Sequence, residues 1–160
     1  MLIRVARQND LPAMTEIYNL AIETKHSTGD MQPLRVEDRV TWFWEHLPDQ
    51  FPIFVSEVDG QVAGWCSLSA YRAAFRHTAE ISYCIAFTHH RRGIGTALIE
   101  HALDACPALG IRHLFAIVLE GNQASLRLLD KMGFARWGYL PQVADFEGRE
   151  VGHLYYGRHV

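Results

Sequence analysis

The stretch His90-Arg91-Arg92-Gly93-Ile94-Gly95-Thr96 gathers two permanent cations, two glycines one residue apart and a hydroxyl. Glycines at that spacing let a backbone turn tightly past a ligand and aim several N–H groups outward at the start of a helix, which makes a nest for an anion. Arg91 and Arg92 add charge beside it and Thr96 adds a donor, a combination suited to a pyrophosphate. Two other nucleotide motifs fail on their own chemistry. A phosphate loop of the NTPase kind needs Gly-Lys-Ser/Thr, and this stretch has no lysine; a dinucleotide fingerprint needs a third glycine where Leu98 stands.

Other reactive side chains are arranged less suggestively. Cys66, Cys84 and Cys106 are odd in number and contain no Cys-x-x-Cys pair, so neither a disulfide framework nor a zinc ribbon is expected. Cys84 as a nucleophile would need a histidine base and an activating environment; a small apolar thiol in a core strand is the expected role. The nine histidines show no His-Glu-x-x-His or other ligand spacing, and no metal site is expected.

The elements that must position the glycine loop follow from periodicity. Ala79 to Phe87 reads as a strand entering the loop, and Ile94 to Ala105 as a helix leaving it, with Ala97, Leu98, His101 and Ala102 spaced for one face. Upstream, Leu2 to Ala6 is a short strand, and Asn9-Asp10-Leu11-Pro12 offers an N-cap with proline in the first turn of a helix. The polar stretch Thr24 to Pro33 is a candidate substrate loop; Val36 to Leu47 is a second helical segment, whose Trp42, Phe43 and Trp44 are expected as core or pocket wall. Ile53 to Val58 and Gln61 to Leu68 form a hairpin about Asp59-Gly60. Downstream, Ile111 to Leu119 is a buried strand, Asn122 starts a helix that ends at Lys131-Met132-Gly133, and two last strands flank Glu147-Gly148. The order predicts a mixed α/β chain without repeats.

Length and charge bound the class. A chain of 160 residues fits one domain, and 49% hydrophobic with 21% charged residues is the profile of a soluble globular protein. A formal charge of −3 gives no global attraction to nucleic acid or anionic lipid, so neither partner is expected and any anion site must be local. No apolar run approaches the roughly eighteen residues of a membrane span, and Met1-Leu2-Ile3-Arg4-Val5 lacks a signal-peptide layout, so a cytoplasmic location is expected.

Taken together these residues resemble the GNAT acetyltransferase superfamily, whose acetyl-CoA loop has the form Arg/Gln-x-x-Gly-x-Gly/Ala and is followed by an Asn and a later Gly-Phe. Here those read His90-Arg91-Arg92-Gly93-Ile94-Gly95, Asn122 and Gly133-Phe134. The likeness extends to Ile3-Arg4 with Asp10-Leu11-Pro12 and to Val58-Asp59-Gly60-Gln61-Val62-Ala63-Gly64. Thr78-Ala79-Glu80 points to the phosphinothricin N-acetyltransferase branch, which acetylates the amine of amino-acid analogues. The resemblance implies one GNAT domain over residues 1–160, an α/β (α+β) fold with a mixed, mostly antiparallel sheet of about seven strands flanked by about four helices.

It implies site residues as well. Tyr83, Cys84 and Ile85 would pair through their backbone with the pantetheine arm, Arg91, Arg92, Gly93, Ile94, Gly95 and Thr96 would hold the pyrophosphate, and Asn122 and Ser125 would touch acetyl-CoA from the next helix. His90 departs from the usual Gln or Arg at a position expected to act through its backbone. Glu80 matches the branch's general base, and a base is needed: an amine of pKa about 9 to 10 is protonated at neutral pH, a deficit of roughly 3 to 4 kcal/mol. An N–H near Cys84 or Ile85 would serve the oxyanion. The branch's proton donor, in the helix after the Asn, falls on Leu129, which can neither donate nor accept; Tyr83, His77, Tyr139 or water are the substitutes.

Arg72, eight residues before Glu80, matches the arginine used near an anionic substrate group and could hold a carboxylate bidentately. Gly29 stands where the branch has an aromatic and Gln32 where it has an acid, which changes the acceptor loop. The expected activity is acetyl transfer to the primary amine of a small amino acid or analogue. The alternatives are a protein N-terminal or other amine acetyltransferase and a weakly catalytic acyl-CoA sensor. A homodimer through an exposed C-terminal strand is implied by the same resemblance.

Overall fold

The computed structural model describes residues 1–160. Seven strands form one sheet: β1 (Leu2–Val5), β2 (Ile53–Val58), β3 (Gln61–Ala70), β4 (Thr78–Ile85), β5 (His113–Leu119), β6 (Ala135–Phe146) and β7 (Arg149–His159). Four helices accompany them: α1 (Leu11–Glu23), α2 (Val40–Trp44), α3 (Ile94–Ala105) and α4 (Gln123–Lys131). The strand order is β1-β2-β3-β4-β5-β7-β6. Every neighbour is antiparallel except β4 and β5, which are parallel and joined through the crossover helix α3. The expected strand and helix numbers and the mixed, mostly antiparallel sheet are all present.

Hydrophobic runs such as Ile53-Phe54-Val55 and Ala63-Gly64-Trp65-Cys66 fit a sheet covered on both faces. Phe54, Cys66, Leu68, Ala79 and Ile81 pack beneath Leu98, Ile99 and Ala102 of α3 and Leu129 of α4. On the other face Ile53, Val55 and Trp65 meet Leu11, Met14 and Ile17 of α1 and Phe43 of α2. The β2–β3 turn uses Asp59 and Gly60 at φ 51° and 77°, the double left-handed geometry that the dipeptide favours.

Several boundaries differ from expectation. The segment expected as one helix over Val36 to Leu47 is a 3-10 turn at Glu37–Arg39 followed by the single short turn of α2. Aromatic residues are weak helix formers, and Pro48 disfavours helical geometry at Leu47. Strand β4 stops at Ile85 because Phe87–His89 winds into a 3-10 turn, and β5 starts at His113 because Ile111 N–H is drawn to the Cys106 carbonyl at 3.0 Å. Asp10 occupies the N-cap position of α1 without capping it. Its carboxylate instead accepts two bonds from Arg4, at 2.7 and 2.9 Å, and one from the Arg7 N–H at 2.7 Å, tying β1 to the helix start.

Candidate active site

Strand β4 alternates, so Glu80, Ser82 and Cys84 face α1 while Ile81, Tyr83 and Ile85 face α3 and α4. Its pairing with β5 is brief: only Thr78, Ala79 and Glu80 find partners, opposite His113, Leu114 and Phe115. Beyond that point the strands diverge, and a cavity of about 980 Å³ fills the opening. Residues Ile81 to Ile85 and Ala116 to Leu119 form its two banks. Strand β4 is paired on its other edge to β3 from Ala79 to Ile85, so the edge that faces the cavity leaves backbone groups without a strand partner along Ile81 to Cys84. A ligand with amide groups can extend the sheet there.

The glycine loop stands at the α3 end of this opening. Arg91 at φ 61° and Gly93 at φ 79° are both left-handed, which turns successive N–H groups the same way ahead of the first turn of α3. Nothing lies within 4 Å of the space a Gly93 Cβ would occupy, so glycine is required there by its dihedral. Gly95 has a different reason: a Cβ would come within 2.9 Å of Leu128 Cδ2, so its absence lets α4 pack against α3. Arg91, Gly93, Ile94, Gly95 and Thr96 line the cavity, whereas Arg92 does not. Lys131 Nζ reaches Thr96 Oγ1 at 3.4 Å, and Arg127 lines the cavity from α4, two cations that the sequence pattern does not reveal. Those donors and the free β4 edge fit a ligand with a pyrophosphate at one end and an amide-bearing arm.

Asn122 and Ser125 border the same space. Asn122 Oδ1 caps α4 by accepting the Ser125 N–H at 3.2 Å, which fixes the helix start against the cavity. The His90 side chain is engaged within the protein: Nε2 donates to the Ile85 carbonyl at 3.0 Å, occupying one of the β4 groups expected to meet the pantetheine arm.

Glu80 sits where β4 and β5 part, on the face opposite the loop. Burial pushes its carboxyl above the usual range, and a hydrogen bond with Ser82 opposes part of that rise. Cys84 is held as a thiol, pushed up to about 12 by burial against a smaller opposing pull from Arg39. Tyr18 and His153, neither singled out from sequence, line the Glu80 side. Tyr18 reads in sequence as one more apolar position of α1, yet its hydroxyl donates to Asp30 Oδ2 at 2.5 Å and bonds Thr28 Oγ1 at 2.7 Å, pinning the Thr24 to Pro33 segment over the cavity. Gly29 of that segment lines the cavity with nothing within 4 Å of a Cβ. Gln32 is exposed and outside the lining.

Arg72 is exposed and is not brought into the cavity lining. Its guanidinium lies 5.6 Å from the Tyr71 ring, which packs edge-on at 5.2 Å against Phe115, the residue opposite Glu80 in the ladder. Leu129 is fully buried in the core under α4. No group of three or more His, Cys, Asp or Glu side chains is placed to hold a metal ion.

The model of the acetyltransferase (GNAT) family matches residues 12–134, which is most of the chain and spans the loop, Asn122 and Phe134. This chain belongs to the GNAT acetyltransferases. Among curated relatives, a Bacillus subtilis protein that bears the phosphinothricin acetyltransferase name provisionally is 38% identical, with 99% of this chain and 98% of that one covered. The L-amino acid N-acyltransferase of Escherichia coli is 34% identical over 93% of this chain and 88% of its own length. Among solved structures, the ribosomal-protein-alanine N-acetyltransferase of Brucella melitensis superposes with a TM-score of 0.94 at 33% identity, covering 100% of both chains. A GNAT superfamily phosphinothricin acetyltransferase of Sinorhizobium meliloti, solved with acetyl-CoA, gives a TM-score of 0.93 at 26% identity, covering 99% of this chain and 88% of that one.

Proposed function

We propose that this GNAT chain is an acetyl-CoA-dependent N-acetyltransferase that transfers acetyl directly to the primary amine of a small amino acid or analogue. The observation that carries the reading is the cleft between β4 and β5, which has the anion loop at one end and a half-buried, proton-ready carboxylate, Glu80, on the opposite face of the sheet. Arg91, Gly93, Ile94, Gly95 and Thr96 would hold the pyrophosphate, with Arg92 flanking it. Tyr83, Cys84 and Ile85 would align the pantetheine arm by their backbone, and Asn122 and Ser125 would border it. Bound acetyl-CoA supplies the activated acyl group. Glu80 takes the proton from the acceptor ammonium, and its raised affinity for protons brings it nearer the pKa of the group it serves.

Arg72 would meet the acceptor's carboxylate by reaching in from outside the cavity lining, where it stands beside Tyr71. The buried Cys84 thiol supports direct transfer in place of an acetylated enzyme, because the thiol is not ionised near neutral pH. A location in the cytoplasm is supported by three cysteines that are all free. Association of two copies through β6, the sheet edge carrying exposed Trp137, Tyr139, Leu140 and Val143, is supported by that apolar surface. Sedimentation that returns a monomer at micromolar concentration would remove the dimer from this account.

Release of free thiol from acetyl-CoA, followed across L-amino acids, methionine sulfoximine, phosphinothricin and peptides with free N-termini, tests the activity. Turnover on the small acceptors is expected. Turnover confined to peptides would favour the N-terminal reading, which the likeness to the ribosomal-protein-alanine enzyme brings forward. Tight acetyl-CoA binding without turnover on any acceptor would favour a sensor.

A further inference from the structure

Three buried side-chain polar atoms lack a hydrogen-bond partner: Arg39 Nη1, Ser56 Oγ and the Tyr83 hydroxyl. Only Tyr83 lines the cleft. An unpaired buried hydroxyl is costly, so one at the wall of a ligand site marks a place where the ligand supplies the missing partner. Tyr83 points to the α3 and α4 side of the sheet, opposite Glu80, where Ser125 of α4 approaches the phenol oxygen as a donor, too loosely to be a formed hydrogen bond but enough to oppose part of the effect of burial, which leaves the phenol's own proton uncommitted. Ser125 and Leu129 are one turn apart on α4.

Resting on the reading above, we propose that the Tyr83 hydroxyl donates a hydrogen bond to the departing CoA sulfur, the role that Leu129 cannot fill. The geometry is one of sides. The amine arrives from the Glu80 face, and the CoA arm must run to the loop at the start of α3, on the Tyr83 face. As the amine nitrogen's lone pair forms the C–N bond, the C–S bond breaks and its electron pair leaves on sulfur. The proton of the acceptor ammonium goes to Glu80, and the second amine proton is lost to water.

The phenol stays protonated throughout. Burial pushes Tyr83 up to about 12, whereas a thiol sits near 8.5. Transfer of the phenolic proton to the thiolate would thus run uphill by roughly 3.5 in pKa, so Tyr83 stabilises the sulfur as a donor and water delivers the proton later. The other two candidates are occupied elsewhere. His77 Nδ1 bonds the Gly110 carbonyl at 2.8 Å, and the exposed Tyr139 donates to Glu120 Oε2 at 2.8 Å; neither lines the cleft.

The test is Tyr83→Phe, which removes one oxygen. A hydrogen bond to a charged sulfur predicts a fall in kcat of roughly 10- to 100-fold with the KM for acetyl-CoA changed by less than about threefold. A binding readout is independent of turnover: calorimetric titration with CoA and with desulfo-CoA above pH 9, where the thiol is ionised. The wild type is expected to prefer CoA by roughly tenfold or more and Tyr83→Phe to lose that preference. An unchanged melting temperature, or a higher one from losing an unpaired hydroxyl, is expected. An unchanged kcat, an equal CoA preference in both proteins, or a rise in KM alone would each overturn the proposal. If the wild type turned over no amine, the function above would fail, and the CoA titration would still decide the role of Tyr83.

Discussion

Replacing Glu80 by Gln keeps the size and burial of the side chain and removes its ability to accept a proton. An acceptor amine of pKa about 9.5 is free base in roughly one molecule in 300 at pH 7, a deficit of about 3.4 kcal/mol at 1.36 kcal/mol per unit. If Glu80 makes up that deficit, Glu80→Gln should lower kcat/KM at pH 7 by roughly 100- to 1,000-fold, within the range for a positioned base. The loss should shrink as solvent deprotonates the amine, by about tenfold per pH unit from 7 to 9. The wild-type profile carries a second signature. Burial raises the Glu80 carboxyl with Ser82 only partly opposing, and the base form is lost as pH falls, so the acid limb should lie above the ordinary carboxylate range. The assay is initial-rate thiol release from acetyl-CoA with the best acceptor across that range. A variant within about threefold of wild type at pH 7, or one whose rate does not climb with pH, would show that Glu80 is not the base.

Cys84→Ala should keep kcat within about threefold and no acetylated protein should appear by mass spectrometry after mixing with acetyl-CoA alone, because the thiol is buried and protonated. Asp10→Asn should destabilise the fold by about 1–3 kcal/mol, or roughly 2–4 °C of Tm per kcal/mol, by weakening the anchor of Arg4, whose guanidinium is also bonded to Glu57 at 3.0 Å. Burial alone would raise the Asp10 carboxyl, but bonds from Arg4 and Arg7 outweigh it and the net shift is downward. Its contribution is therefore present above the unfolded carboxylate value near 4 and lost as pH falls through the lower folded value, so the melting curves of wild type and variant should converge in acid. Equal melting temperatures at pH 7 would contradict the anchoring role.

Local chemistry was legible and tertiary use was not. The strand, loop and helix around Gly93 follow from residue types that admit few conformations, whereas Glu80 is singled out only by the family resemblance, since a carboxylate at a strand start is otherwise an ordinary surface residue. Gly95 reads identically to Gly93 in sequence, yet its reason is contact with Leu128, a partner more than thirty residues away that no local pattern exposes. Tyr18 was hidden by its periodicity, since a tyrosine spaced with Met14 and Ala21 looks like core until its hydroxyl is seen to grip Thr28 and Asp30. His153 and Arg127 carry no motif and become visible only when β7 and α4 are folded against the cleft. Hydrophobic spacing over Val36 to Leu47 suggests one helix, but the weak helix formers Trp42, Phe43 and Trp44, with Pro48 just beyond, leave only the short turn Val40–Trp44.

The parting of β4 from β5 makes the sheet an unfinished object. Two strands that share only three paired residues leave a gap in the middle of the protein, where most sheets are strongest, and the proposed substrate is what closes it. Binding would then be coupled to stability: a ligand held only by the folded form adds about 2.7 kcal/mol at a hundred times its Kd. On this reading the protein's resistance to unfolding and proteolysis rises and falls with acetyl-CoA supply. When the metabolite is scarce, the molecule loses its work and part of its lifetime together.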